Sequence, residues 1–125
     1  MTEVKIKYGV PSTISISINN LTALNRNFSD ITDILFMLKN KASDADSLAL
    51  ISKKYKTVTG ITLDQNNKKI FVSLLKSDFG PSKMETNGNY LICIGVEFNN
   101  DGIYIEDQDE KFERRLKVIP DKIRA

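Results

Sequence analysis

The 125-residue chain contains no histidine, no tryptophan and only one cysteine. Without histidine it cannot form a serine–histidine–aspartate triad, the common zinc sites or the usual proton shuttle of neutral pH. The lone Cys93 excludes an intramolecular disulfide and argues strongly against a zinc cluster. Glycine-rich phosphate loops and dinucleotide fingerprints are also missing. The sequence therefore predicts no enzymatic activity, no metal and no cofactor.

Long apolar runs and a strong excess of one charge are absent as well. No stretch approaches the roughly 20 residues of a membrane helix, and the first residues alternate charged with apolar types instead of forming a signal-peptide core. We therefore expect a protein that is made and used without secretion and without a membrane. The 18 basic and 16 acidic residues leave a net charge of +2, which argues against nucleic acid as a partner despite basic clusters at residues 53–56 and 68–69.

The densest group of acidic residues lies around the last predicted hairpin. Paired carboxylates can hydrolyse glycosidic bonds, but turn formation and solubility explain acidic residues at such a place better. We therefore expect no small-molecule substrate. The group comprises Glu97, Asp101, Glu106, Asp107, Asp109 and Glu110.

Residues 88–118 carry the strongest β pattern. Eight of the nine residues from position 90 to 98 are apolar or glycine, which predicts a strand buried on both faces with Cys93 as a small core residue. Residues 99–102 tolerate positive φ, so residues 103–105 should fold back as a hairpin. From position 112, apolar residues alternate with charged ones, which predicts a half-exposed last strand.

The first half of the chain adds further strands. Residues 4–8 alternate lysines with apolar residues, as an entry strand or arm would. Residues 12–18 put Ile14, Ile16 and Ile18 on one face and serines on the other, which predicts a strand with one buried face. Residues 58–63 and 70–74 flank a turn-rich loop and predict a second hairpin.

Two segments are ambiguous. Residues 31–38 fit either a helix capped by Ser29 or a strand with Ile34, Phe36 and Leu38 inward; we favour the strand because the apolar run is short. Residues 43–55 fit either a loop followed by a strand or a helix that starts near Ser43. Residues 76–81 predict a single helical turn that ends at glycine and proline.

Seven or eight short strands without a sustained helical pattern predict an all-β fold, an immunoglobulin-like antiparallel β-sandwich with at most short helical turns. The length suits one domain, residues 1–125, with short N- and C-terminal extensions. Gly88 lies two residues before Tyr90 at a strand start, which indicates a tyrosine corner. The antibody disulfide is absent, because Ile92 occupies the position of its second cysteine.

Five β-type motifs follow one another along residues 12–119: 31–39, 60–64, 69–74 with Asp78, 88–90, and 112–118. Their order resembles the immunoglobulin-like domain at the N-terminus of bacteriophage upper-baseplate proteins and related tailed-phage virion modules. The resemblance implies a structural virion protein, in the tail, baseplate or head–tail region, that is assembled in the host cytoplasm. Its implied partners are other virion proteins and copies of itself.

Strand 12–18 is the first candidate for such contacts. It contains no Lys, Glu, Asp or internal Pro, so at a sheet edge it would lack the usual protection against strand addition. The charged N-terminal residues and residues 119–125 are expected outside the sandwich, with two isoleucines as apolar anchors. The candidate assembly contacts are Ser12, Ser15, Ser17, Ile119 and Ile123.

A carbohydrate- or host-receptor-binding β-sandwich module is the alternative function. Such modules present aromatic side chains or calcium-bound carboxylates on their loops. The chain has no tryptophan, and most of its tyrosines and phenylalanines fall on predicted strands. Tyr55 is the best exposed candidate for a sugar contact.

Overall fold

The computed structural model describes residues 2–18, 21, 25–41, 44–57, 60–107 and 114–120. Within them the chain forms nine β-strands and three single 3-10 turns, which confirms the predicted all-β fold. The strands are β1 Thr2–Lys7, β2 Ser12–Ser17, β3 Ile31–Lys39, β4 Ile51–Lys54, β5 Ile61–Asp64, β6 Lys69–Leu74, β7 Asn89–Phe98, β8 Ile105–Glu106 and β9 Arg114–Ile119. The 3-10 turns are Phe28–Asp30, Asp46–Leu48 and Lys76–Asp78.

The strands form two sheets that enclose one core. The larger sheet has the order β1-β9-β7-β3-β4, with the short β8 also paired to β7, and the smaller sheet has the order β2-β6-β5. All pairs are antiparallel except β1 with β9, which is parallel. Apolar side chains from both sheets belong to a single buried cluster. The molecule is therefore a β-sandwich.

Both ambiguous segments contain strands. In β3 the side chains of Ile34, Phe36 and Leu38 are completely buried, so the apolar period is two and not that of a helix. Pairing with β7 on one side and β4 on the other fixes this conformation. In the second segment, the 3-10 turn Asp46–Leu48 precedes strand β4.

The core faces of the smaller sheet follow the predicted alternation. Ile14, Ile16 and Ile18 are all buried, and the residues between them on β2 are exposed. Strand β6 contributes Ile70 and Val72 from the centre of the same sheet. The predicted hairpin of β5 and β6 is present in antiparallel register.

Two sequence expectations about the chain termini are wrong. The N-terminal residues form β1 and extend the larger sheet, and Ile119 is the last residue of β9. Both therefore belong to the sandwich: of the two alternatives for residues 4–8, the entry strand is confirmed, and parallel pairing with β9 holds it in the larger sheet.

The last hairpin is shorter than predicted. Asn99, Asn100 and Gly102 do adopt positive φ, as the turn requires. Strand pairing resumes only at Ile105, so residues 103–104 form loop instead of strand. Among the described residues there is no helix that is long and apolar enough to cross a bilayer.

Candidate functional site

Strand β2 lies at the end of the smaller sheet. It pairs with β6 on one side, and no described strand pairs with it on the other. Its inward isoleucines anchor it in the core, while Thr13, Ser15 and Ser17 are exposed. We call the unpaired side of this strand the β2 edge.

Backbone hydrogen bonds show which amides face the β2 edge. The Ile18 N–H donates to the Lys68 carbonyl at 3.0 Å, and the Ser73 N–H donates to the Gly60 carbonyl at 2.7 Å. Because an antiparallel strand turns alternate residues to opposite sides, the even-numbered residues of β2 bond to β6. The N–H and C=O groups of residues 13, 15 and 17 therefore face the β2 edge.

A buried ion pair closes one end of this edge. Arg114 on β9 donates from Nη2 to the Ser17 carbonyl at 2.8 Å and to Asp107 Oδ2 at 2.5 Å. Its Nη1 also donates to the Asp107 carbonyl at 2.6 Å. The guanidinium thus ties the larger sheet to β2, and the outward amide groups of Thr13 and Ser15 are left without a partner among the described residues.

The other strands that end a sheet carry charges. Lys5 lies on β1, Lys53 and Lys54 on β4, and Asp64 at the end of β5. Charged side chains, lysine above all, discourage edge-to-edge pairing of strands. Among the sheet ends that the structure describes, only the β2 edge is formed by a strand without a charged residue.

The remaining candidate contacts lie elsewhere. Ser12 begins β2, and its hydroxyl donates to the Val10 carbonyl at 3.1 Å. The Ile119 carbonyl accepts the Tyr8 N–H at 2.9 Å, so the end of β9 holds the end of β1. Ile123 falls outside the described residues.

Tyr90 is buried at the start of β7. Its hydroxyl accepts the Glu85 N–H at 2.7 Å and lies 3.5 Å from the Lys83 carbonyl oxygen. The ring folds back over Gly88, where an added Cβ would lie only 2.1 Å from the Tyr90 hydroxyl. Glycine is therefore required at position 88 by the close approach of this side chain.

The outer face of the larger sheet holds a polar network that sequence reasoning missed. Asp33 is buried and accepts the backbone N–H groups of Ile34 and Lys56, each at 2.9 Å, together with the Tyr104 hydroxyl. The hydrogen bond to Asp33, together with burial, raises the pKa of Tyr104 to about 12. The residues are far apart in the sequence, so no local pattern could have linked them.

Glu97 lies opposite Asp33 in the register of β7 and β3. Its carboxylate accepts hydrogen bonds from the Lys56 ammonium at 2.6 Å and from the Thr32 hydroxyl at 2.8 Å. These two hydrogen bonds lower the pKa of Glu97 below its ordinary value. Lys56 thus places a positive charge directly beside the Glu97 carboxylate.

The other acidic residues serve separate structural contacts. Asp101 accepts the Ile103 N–H at 2.9 Å in the turn after β7, Asp107 pairs with Arg114, and Glu106 is exposed on β8. Asp109 and Glu110 lie outside the described residues. Of the acidic group named from the sequence, Glu97, Asp101 and Asp107 therefore support a turn and two ion pairs.

Cys93 lines a cleft of about 190 Å³ on the outer face of the larger sheet, with Lys39, Tyr104 and Glu106. The prediction of a core cysteine is wrong, because the side chain is only partly buried. Both faces of β7 are apolar in sequence, so its pattern could not show which face meets the other sheet. Desolvation raises the pKa of the thiol, which disfavours the nucleophilic thiolate.

The basic residues of β4 and its following turn are engaged within the chain. The Lys53 ammonium contacts Asp78 at 2.7 Å, and the Lys54 ammonium lies 5.3 Å from the centre of the Tyr104 ring. Tyr55 is 37% exposed beside them. The predicted basic cluster is therefore built into the fold, and Tyr55 is the aromatic residue that it presents to solvent.

Comparison with known proteins gives no family for this chain. No protein-family model matches it, and no curated protein matches it.

Among the described residues, no group of three or more cysteine or acidic side chains is arranged to hold a metal ion.

Proposed function

We propose that the chain is a structural protein of a tailed-bacteriophage virion, in the tail, baseplate or head–tail region. It acts there as an immunoglobulin-like module that contacts other virion proteins and copies of itself. The observation that carries this proposal is the unprotected β2 edge, because a row of unpaired backbone groups without charges favours addition of another strand.

The strand order supports the immunoglobulin-like part of the proposal. In such domains one sheet contains strands B, E and D in spatial contact, and the other contains G, F, C and C′. The small sheet β2-β6-β5 matches the first set, and the run β9-β7-β3-β4 matches the second. The contact of Tyr90 with the backbone upstream of β7 occurs at the position expected for a tyrosine corner.

The distribution of polar contacts favours a structural role over catalysis. The buried acidic residues Asp33, Glu97 and Asp107 each bond to a donor on another segment of the chain. Such contacts hold loops and sheets in place. We therefore propose that the protein is inert toward common hydrolase substrates.

Repetition strengthens weak contacts in a particle. When a protein is held in several copies in one symmetric assembly, the effective concentration of neighbouring edges rises, and weak single contacts combine into a stable structure. The isolated chain is then a monomer in dilute solution and is held firmly only in the assembled particle.

Purified particles of the phage whose genome encodes the chain provide the test. Quantitative mass spectrometry should find the chain in multiple copies per particle. Failure to find the chain in purified particles would contradict the virion role, whatever the isolated protein does.

Exposed Tyr55 favours one second candidate, a carbohydrate- or receptor-binding module. Aromatic rings at a strand end are suitable platforms for sugar rings. A glycan array with the wild-type protein and the Tyr55→Ala variant distinguishes the two functions. Sugar-specific retention that the variant loses would favour this second candidate, and no retention supports the assembly role.

A further inference from the structure

The β2 edge has the features of a strand that pairs with its own copy. Its outward residues Thr13, Ser15 and Ser17 are small, uncharged and exposed, and the outward backbone groups of residues 13 and 15 have no partner in the described part of the chain. Strand β2 of a second copy contains no charged residue. Self-pairing of β1 or β4 would instead bring lysines together.

We propose that β2 pairs antiparallel with β2 of a second copy, about a two-fold axis that passes next to Ile14. The two small sheets then form one continuous six-stranded sheet, β5-β6-β2 followed by its symmetry mate. This proposal deepens the proposed assembly role by naming one partner, and it rests on that role only for its biological setting.

The contacts of Ser17 select the register. With the axis at Ile14, Thr13 lies opposite Ser15 of the copy, and Ser17 lies opposite Pro11. Pro11 has no N–H to donate. In this register the Ser17 carbonyl therefore need not accept a hydrogen bond from the copy, and it can stay bound to Arg114 at 2.8 Å. A register centred on Ser15 would instead require the Ser17 carbonyl, which already binds Arg114, to accept a hydrogen bond from the Thr13 N–H of the copy.

The side chains agree with this register. Antiparallel residues whose amides face each other exchange two hydrogen bonds, so the two Thr13–Ser15 pairs supply four backbone bonds. Cross-strand threonine–serine pairs add favourable contacts on the exposed face. The inward Ile14 and Ile16 stay in their own core, where both are buried.

The contact is small. Two strands of six residues bury less than the roughly 1,200 Å² of a standard stable interface. The chain should therefore be monomeric when dilute and dimeric near roughly 1 mM, in the weak range of protein affinities. This agrees with assembly that depends on high local concentration.

Sedimentation equilibrium of the whole chain tests the pairing. The double variant Thr13→Lys/Ser15→Lys puts lysine opposite lysine and should remain monomeric near roughly 1 mM. The variant Thr13→Glu/Ser15→Glu should also be monomeric, while an equimolar mixture of the two should form a heterodimer. A heterodimer cannot arise from misfolded variants, so this mixture separates lost pairing from lost folding.

Thr62→Lys is the matched control. Thr62 is exposed and lies opposite Phe71 on one side of β6, as Ser15 does on the other. The control adds one lysine to the other edge of the same sheet and should dimerise like the wild type. A wild-type monomer near roughly 1 mM, a dimer that survives the Lys variant, or a mixture without heterodimer would each overturn the proposal.

Crosslinking tests the register. In a Cys93→Ala background, Thr13→Cys and Ser15→Cys proteins are treated with a short bifunctional thiol reagent, separately and as a mixture. The mixture should give the highest crosslinked yield, because residues 13 and 15 of different copies lie about 5.5 Å apart at their Cα atoms. A higher yield from Ser15→Cys alone would overturn the Ile14 register. None of these results depends on the presence of the chain in particles.

Discussion

The Tyr104 hydroxyl donates a hydrogen bond to the buried Asp33 carboxylate and joins the loop after β7 to strand β3. Gly95 lies beneath this contact: a Cβ added there would come 3.2 Å from the Tyr104 Cβ. The ring therefore packs closely on β7 while its hydroxyl reaches the neighbouring strand. This contact fixes the loop on the outer face of the larger sheet.

The Tyr104 contact predicts a late step in the titration of the tyrosines. One of the four tyrosines should ionise near pH 12, and Tyr104→Phe should remove this step from the absorbance of phenolate near 295 nm. Because the folded pKa is raised from 10.0 to about 12, the stabilisation is complete below pH 10 and is lost as the pH rises through 12. Tyr55→Phe, the control, should keep the late step; a wild-type titration that ends below pH 11 would contradict the contact.

Glu97 predicts part of the response to acid. Its folded pKa lies below the ordinary 4.5, so its stabilisation is complete above pH 4.5 and is lost as the pH falls through the lowered folded value. Glu97→Gln should therefore flatten the fall in the urea midpoint as the pH drops below 4.5. Glu85→Gln, an exposed control, should keep the wild-type slope. Equal slopes in all three proteins would show that the Lys56–Glu97 pair does not stabilise the fold.

Tyr90→Phe removes the hydroxyl that accepts the Glu85 N–H. The cost should be on the order of 1 kcal/mol in the free energy of unfolding, measured by urea denaturation, because the acceptor of a partly buried N–H is lost. Tyr8→Phe is the control, since the Tyr8 ring packs edge-on against Phe79 at 5.4 Å between ring centres and the substitution keeps that ring. Equal denaturation midpoints for the Tyr90→Phe variant and the wild type would mean that the hydroxyl contributes nothing to stability.

Cys93 should react slowly with a thiol reagent in the native protein and quickly after unfolding. The reason differs from the one expected from sequence: the thiol is partly exposed, but desolvation raises its pKa from 9.0 and keeps it protonated at neutral pH. Native labelling should therefore accelerate as the pH rises above 9. A native rate equal to that of the unfolded chain at pH 7 would contradict this environment.

Local alternation was sufficient to predict β2 and most of the other strands but not their neighbours. The inward face of β2 follows from Ile14, Ile16 and Ile18 alone, because a period of two defines one face of a strand. Its place at a sheet edge depends on which strand pairs with β6, which no local pattern contains. The same limit explains β1, whose partner β9 lies at the other end of the chain.

The polar contacts were harder to predict. Asp33 and Tyr104 are 71 positions apart, and each looks ordinary in its own segment. Gly88 and Tyr90 are two positions apart, so their relationship was visible as a spacing. Contacts within a turn can therefore be inferred from sequence, whereas contacts between strands on the outer face require the register.

The most direct test of the central claim, that the chain assembles through its β2 edge, is quantitative mass spectrometry of particles produced with substituted chains. Wild-type and Thr62→Lys chains should be present in equal, multiple copies per particle. The Thr13→Lys/Ser15→Lys chain should be strongly depleted although it folds with a normal denaturation midpoint. Particles that incorporate all three chains equally would contradict assembly through the β2 edge.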